Sequence, residues 1–478
     1  MPPKSLRSAI EKLFKAKNDN PFSRGLPEGS GLNSAEDVRA VRWAIEELAK
    51  KDPKQVAAKA SEVIGLFQEV GSNQEPTRDE LLEELAEANP GEPRAKLAEV
   101  VDPFEPDDQA ESLRQIIQDE LLEPLLKLED RFASAVRPAA TPSEDDDDTD
   151  DLYWVKQTDL FMLKQIAYFS KDSALQRIIM RARAGFESGS FMWTVILDAY
   201  AHGHPRHKEL FAALASPLPN DFIATCLLDS ANAALIEGAE FPHPFDSTEG
   251  WAQVRKWLRN LNPDQFSYAH SATAALPFLS EPARTELLEL ALDHPSEDVS
   301  VEAAWAAARI GSARGVRELA KYATRVNTAI VAIQYLEELG REDAIPQEAS
   351  DPDFRAKAAI VNWLSHPNEF GEPPESIDLM DTRHLFWPPT KDLRQVWLFK
   401  YRYPKTEKRE EEDIGLGMVG SVTFALFGET TANLQAWDAY ALHCCWELER
   451  NEDPRAPKKR TIAAGRELLS EHNDLSKD

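Results

Sequence analysis

The 478-residue chain has few cysteines, an excess of acidic residues over basic ones, and no long apolar run. Its three cysteines, two of which are the neighbours Cys444 and Cys445, exclude a fold held together by several disulfides and favour a reducing, cytoplasmic location. No run approaches the roughly 18 apolar residues that a membrane span needs, and the N-terminus lacks an apolar signal core. With 83 acidic residues against 54 basic ones, the net charge of −29 opposes binding to nucleic acid or to an anionic membrane.

Residues 4–17 are an exception to this acidic character. Lys12 and Lys15 alternate with Ile10 and Leu13 at helical spacing, which predicts a basic amphipathic helix. Such a helix can make a weak contact with a membrane surface. The alternative is a first helix whose apolar face packs on the rest of the molecule.

Helix signals and composition divide the chain into five parts. Ser34 and Asp37 resemble a capping box, and the apolar pattern at 109–136 predicts a long helix bent at Pro124. The like-charge run at 144–151 has no apolar residue to bury, which is typical of a disordered linker. The predicted parts are an N-terminal helical bundle at 1–137, an acidic linker at 138–151, a helical repeat region at 152–367, a small α/β (α+β) domain at 368–450, and a tail with a short helix at 451–478.

The repeat region shows a regular period. Helices end at Leu279, Ile310 and Leu339, which lie 31 and 29 residues apart, and glycine follows the second and third of these. Each of these ends follows an alanine-rich helix. A fixed period of this length is typical of stacked helix pairs.

The segment EDVSVEAAWAAARIG at 297–311 opens with an aspartate and a valine, continues with small alanines, and closes with isoleucine and glycine. This pattern resembles the second helix of a HEAT repeat. The segment 351–360 is a second match, in which Arg355 supplies an arginine usual in the family, whereas Glu302 takes its place in the first segment. The resemblance covers roughly 265–365 and implies a HEAT-like α-solenoid, which offers an extended binding surface.

After Pro367 the composition becomes typical of strands. Residues 395–403, QVWLFKYRY, are aromatic and β-branched, and residues 414–427 predict a second strand that contains three glycines. Apolar periodicity predicts helices at 434–449 and 461–469. These elements predict the small C-terminal α/β domain.

Three short motifs could carry chemistry. Gly415, Gly417 and Gly420 match the spacing of a dinucleotide-binding loop, but a charged segment precedes them where a buried strand should be. A strand that contains glycines is the preferred interpretation. His202, His204 and His207 could bind a metal, but no cysteine or further histidine pair completes a site, and loop histidines are preferred.

The third motif places His443 beside Cys444, where an imidazolium could activate a thiol. Cys444 shares an apolar stripe with Trp437 and Leu448, which favours a core position instead. We therefore predict no catalytic, cofactor-binding or metal-binding residue.

The sequence favours a non-catalytic scaffold or adaptor that binds another protein or a peptide through its helical repeats. The alternative is an enzyme or small-molecule-binding protein whose site lies in the C-terminal α/β domain. A pocket lined by Trp397, Tyr401 and Tyr403 would favour that alternative, and a filled sheet would not.

Overall fold

A computed structural model describes residues 6–15, 32–67, 108–136, 149–187, 189–200, 204–366, 369–406, 409, 411–421, 425–426 and 432–476. Within these ranges the chain is mainly helical and carries a small antiparallel sheet near the C-terminus, as predicted. It divides into two compact units, Met1–Lys256 with Phe278–Ser280 and Trp257–Pro277 with Glu281–Asp478. No helix in the described ranges is long and apolar enough to cross a membrane.

All described secondary-structure elements of the first unit are helices. Its helices are α1 Leu6–Lys15, α2 Ala35–Leu48, α3 Pro53–Gly65, α4 Asp108–Glu120, α5 Leu122–Ala135, α6 Thr149–Ala167, α7 Asp172–Arg183, α8 Met192–Asp198, α9 His207–Leu214, α10 Asp221–Ile236 and α11 Thr248–Leu258, the last of which continues into the second unit.

Local signals explain several of these boundaries. The Ser34 hydroxyl accepts a hydrogen bond from the Asp37 amide at 3.2 Å, which confirms the predicted start of α2. The single helix predicted at 109–136 is instead two helices that meet at Leu121, because Pro124 lies in the first turn of α5, where its missing N–H is tolerated. Of the predicted linker, residues 138–148 lie outside the described residues, and α6 begins at Thr149.

Helix α1 packs on α2 and α3. Its apolar face, which includes Ile10 and Leu13, is buried. The Arg7 guanidinium lies 3.4 Å from the ring centroid of Trp43, and the rings of Phe14 and Trp43 are 5.6 Å apart. This packing favours the alternative in which the basic N-terminal helix faces the protein core.

A buried ion network joins α5, α6 and α7. Glu129 and Asp159 are fully buried carboxylates. The Arg181 Nε atom lies 3.2 Å from a Glu129 oxygen, and its Nη2 atom pairs with Asp159. Arg177 also pairs with Glu129. Each buried charge therefore has an opposite charge, without which its burial would be costly.

The second unit combines helices with the sheet. Its helices are α12 Phe266–Ala274, α13 Ala283–Leu292, α14 Glu297–Arg309, α15 Ala313–Tyr322, α16 Ala329–Glu338, α17 Pro352–Leu364, α18 Ala436–Arg450 and α19 Ile462–Ser470. Its strands are β1 Ser376–Trp387, β2 Asp392–Tyr403, β3 Asp413–Val419 and β4 Ala425–Leu426, which pair antiparallel in the order β1-β2-β3-β4.

The sheet is covered on both faces, and strand β2 shows how. Its even-numbered residues, such as Val396 and Leu398, pack in a core with α18 and α19. Its odd-numbered residues Phe399, Tyr401 and Tyr403 pack in a second core with α17. The two-residue alternation of a strand therefore supplies both cores.

Candidate functional site

Helix α14 lies at the centre of a group of helices in the second unit. It contacts α12, α13, α15 and α16. A Cβ atom added at Gly315 of α15 would lie 2.3 Å from the Ala308 amide nitrogen and 2.6 Å from the Ala304 carbonyl oxygen. Small residues on both helices therefore allow α15 to lie directly against the α14 backbone.

Helices α12, α14 and α16 bring together side chains that are far apart in sequence. Glu302 and Trp305 lie on the face of α14 that is between α12 and α16. His270 from α12 places its Nε2 atom 3.6 Å from a Glu302 oxygen, and the Tyr335 hydroxyl from α16 donates to the same oxygen. The rings of Trp305 and Tyr335 are 5.6 Å apart.

We use the name inner-row surface for a group of side chains from the three helices α12, α14 and α16. The group consists of His270, Asp298, Glu302, Trp305, Arg309, Tyr335 and Glu338. Glu302 and Trp305 form its buried floor, with 4% of each residue exposed. The other members are exposed or half-buried around them. The Arg309 guanidinium lies 5.4 Å from the Trp305 ring centroid.

Carboxylates dominate the electrostatics of the inner-row surface. Burial raises the pKa of Glu302, and His270 and the Tyr335 hydrogen bond oppose that rise. Burial also raises the pKa of Tyr335, and the carboxylates of Glu302, Glu338 and Asp298 raise it further. Three acidic groups therefore surround one aromatic side chain.

The glycine motif lies in strand β3 and at its end, which confirms the strand interpretation. A Cβ atom at Gly415 would lie 2.3 Å from the Tyr401 hydroxyl oxygen, and one at Gly420 would lie 2.1 Å from the Gln395 carbonyl oxygen. Gly420 also has a φ of +91°, which favours glycine. Packing within the sheet therefore accounts for these two glycines without a nucleotide.

The described histidines of the 202–207 motif serve the local backbone. The His204 Nδ1 atom accepts from the Arg206 amide at 3.1 Å, and the His207 Nδ1 atom lies 2.7 Å from the His204 carbonyl oxygen. Burial, with the nearby charges of His207 and Arg206, lowers the pKa of His204 to about 4. His202 lies outside the described residues. Among the residues that are described, no three His, Cys, Asp or Glu side chains form a group that could hold a metal.

His443 belongs to a buried polar network rather than to a thiol site. Its Nε2 atom lies 3.0 Å from Glu447 Oε1 and 3.3 Å from the Ser421 hydroxyl, and the Trp387 indole donates to Glu447 Oε2 at 2.6 Å. In a Ser-His-acid triad the serine and the acid face different ring nitrogens, whereas both lie at Nε2 here. Cys444 belongs to α18 and is fully buried in the core between this helix and the sheet. Burial raises the pKa of its thiol.

The face of β2 that carries Tyr401 and Tyr403 is filled. Both tyrosines are 1% exposed, and the Phe370 ring stacks on Tyr403 at 4.1 Å between centroids. The Trp397 indole donates to Asp353 Oδ1 at 2.7 Å. This is the filled sheet that disfavours an aromatic pocket at these residues.

The sequence predicts that α14 is a repeat helix, but it does not indicate the inner-row surface. Glu302 stood out only as a departure from the HEAT pattern, and its partners His270 and Tyr335 are 32 and 33 residues away. This spacing is close to the predicted repeat period, and it was the feature of the sequence that could have indicated these contacts.

No family model matches the chain, and neither the curated proteins nor the solved structures include one that is significantly similar to it.

Proposed function

We propose that the chain is a non-catalytic scaffold or adaptor, and that its helical repeats bind a basic segment of another protein at the inner-row surface. The observation that carries this proposal is the contact of Tyr335 with both Glu302 and Trp305, together with the carboxylates of Asp298 and Glu338, which raise the pKa of Tyr335. Tyrosine and tryptophan are enriched among the residues that anchor a protein partner, and complementary charge steers its association. A reducing, cytoplasmic location is part of the proposal, since all three cysteines are free thiols.

The contacts between helices support a HEAT-like α-solenoid as the architecture of this region. Helix α14 contacts α12 and α16, and it also contacts α13 and α15. In the proposed solenoid α12, α14 and α16 would form one row, and α13 and α15 would belong to the other. Gly311 follows α14 and Gly340 follows α16, and both glycines have a positive φ, which is typical of a residue that ends a helix. Their spacing agrees with the predicted period. Stacked pairs of this kind present one row of helices to a partner.

The charge of the surface selects the partner. Asp298 and Glu338 are exposed carboxylates, and the Arg309 guanidinium lies over the Trp305 ring. Complementary charge increases the rate of association and excludes wrong partners. Lysine or arginine residues of the partner would pair with these carboxylates, while Tyr335 provides apolar contact area.

Capture of partners by tagged full-length protein, read by mass spectrometry, tests the proposal. The variant combines Asp298→Lys with Glu338→Lys. The matched control combines Glu286→Lys on α13 with Glu318→Lys on α15, which changes the net charge equally outside the inner row. We expect the inner-row variant to lose partners that the control retains.

Retention of the same partners by both variants would show that the inner-row surface does not bind them. Point substitutions are preferable to removal of the C-terminal domain. Helix α17 shares a core with Tyr401 and Tyr403, so a chain that ends near residue 366 would expose that core.

A further inference from the structure

Strand β1 is at the edge of the sheet, and one of its two sides is open. Strand β2 pairs with the other side, and no strand of the described residues pairs with the outer one. From Asp381 to Trp387 the register with β2 is unbroken, whereas a β-bulge lies between Leu379 and Asp381. The segment after the bulge is therefore a regular strand with a free outer edge.

The backbone of Phe386 shows which residues of this segment face outward. Its amide donates to the Asn473 Oδ1 atom at 2.8 Å, and its carbonyl oxygen accepts from Asn473 Nδ2 at 2.9 Å. The asparagine side chain thus takes the place that a neighbouring strand would occupy. Because backbone groups alternate between the two sides of an antiparallel strand, Thr382 and His384 also direct their amide and carbonyl groups away from β2.

The outward groups of Thr382 and His384 are available to a partner. Both residues are exposed, and no other described residue makes a backbone hydrogen bond to these groups. The open stretch lies between the bulge and the contact with Asn473. An edge of this kind is a template for a further extended strand.

The charges on either side of Thr382 are self-complementary. Asp381 and Arg383 lie 2.7 Å apart on one face of the sheet. If a second copy of β1 lay antiparallel about a two-fold axis at Thr382, each Asp381 would lie opposite an Arg383. Opposite charges directly across from each other stabilise strand pairing, and like charges destabilise it. A two-fold axis at Arg383 would instead place two arginines opposite each other.

We propose that two copies of the chain pair antiparallel through the outer edges of β1, about a two-fold axis at Thr382. The Thr382 backbone of each copy bonds to that of the other, and His384 lies opposite the second copy's Met380. Such an isologous contact closes as a dimer.

Charge acts on this contact in two ways. The charges at 381 and 383 exclude other registers, as edge charges commonly exclude unwanted pairing. The net charge of −29 on each copy opposes association, but salt at 0.15 M screens charges that are more than about 8 Å apart. The contact shares no residue with the inner-row surface.

Cysteine cross-linking tests both the pairing and its register. The Cα atoms of a hydrogen-bonded antiparallel pair are about 5.5 Å apart, which is within the range of a disulfide. We therefore expect Thr382→Cys to form a covalent dimer under mild oxidation. His384→Cys is the matched control, exposed on the same strand, and its two copies would lie about 13 Å apart. It should stay monomeric, and the buried native cysteines should not contribute.

Sedimentation velocity tests the contact without a covalent bond. The wild type should form a dimer as its concentration rises. Thr382→Pro removes an outward amide without removing a hydrogen bond to β2, and it should stay monomeric. Thr382→Val keeps that amide and should still form a dimer. Equal thermal midpoints establish that the variants are folded.

The proposal is wrong if the two cysteine variants cross-link equally fast, if neither does, or if the wild type is a monomer at every concentration. Formation of a dimer by Thr382→Pro would also overturn it. Cross-linking of Thr382→Cys to a different protein, with none between copies, would show that the edge pairs with a foreign strand and would contradict the dimer.

Discussion

The close packing of α15 on α14 can be tested by replacing Gly315 with alanine. In an isolated helix this change stabilises by about 1 kcal/mol, because glycine has the poorer helix propensity. Here the new Cβ atom would lie 2.3 Å from the Ala308 nitrogen and 2.6 Å from the Ala304 oxygen, and both atoms belong to the backbone. The two helices must then separate, and overpacking of this kind costs about 1–3 kcal/mol. We expect a net loss of up to about 2 kcal/mol, in place of the gain of about 1 kcal/mol in an isolated helix.

The matched control is Gly65→Ala at the last residue of α3, where the added Cβ would have no atom of another described element within 4 Å. This variant should be as stable as the wild type or more stable by up to about 1 kcal/mol. Urea unfolding of both variants measures the difference, and Gly65 and Gly315 report on different units. A Gly315→Ala variant that is more stable than the wild type by about 1 kcal/mol, as in an isolated helix, would refute the close approach of the two helices.

Three further predictions concern buried groups. Arg181→Met should lower the free energy of unfolding by about 3–5 kcal/mol, since it leaves buried Asp159 without its partner, and an unchanged urea midpoint would contradict the ion network. Because the folded-state pKa of Glu302 is raised above 4.5, its burial favours the protonated form, and wild-type stability falls as pH rises from 4.5 through the raised pKa. The stability of Glu302→Gln relative to the wild type should therefore increase over that range, and a constant difference would argue against a raised pKa. Burial also raises the pKa of all three cysteine thiols, so Ellman's reagent should modify them no faster than the protein unfolds, whereas an exposed Ser267→Cys control should react at once.

The elements that could be predicted from sequence are those with local signals. Ser34 caps α2, and Gly311 and Gly340 end their helices, because each acts within one turn. Strand β2 was predicted at 395–403 because that segment is rich in aromatic and β-branched residues. The observed strand begins earlier, at Asp392, because residues before 395 pair with β1.

Strand β1 was missed because its pattern is irregular. A β-bulge at Met380 shifts the register between Leu379 and Asp381, so the two-residue alternation breaks in the middle of the strand. Most of its residues are also partly or fully exposed, since β1 is an edge strand of the sheet. Periodicity alone cannot detect such a strand.

The inner-row surface depends on tertiary contacts. His270, Glu302 and Tyr335 meet only because α12 and α16 both pack on α14. The sequence predicts a binding surface on stacked helices, whereas the residues that meet on α14 could be found only from the structure.

Hydrogen exchange of the full-length protein, alone and in complex with a captured partner, tests the central claim most directly. If a basic partner segment binds the inner-row surface, protection should increase in α14 and α16 and stay unchanged in α18. A complex that protects α18 or the strands, and leaves α14 and α16 as they are in the free protein, would contradict the proposed function.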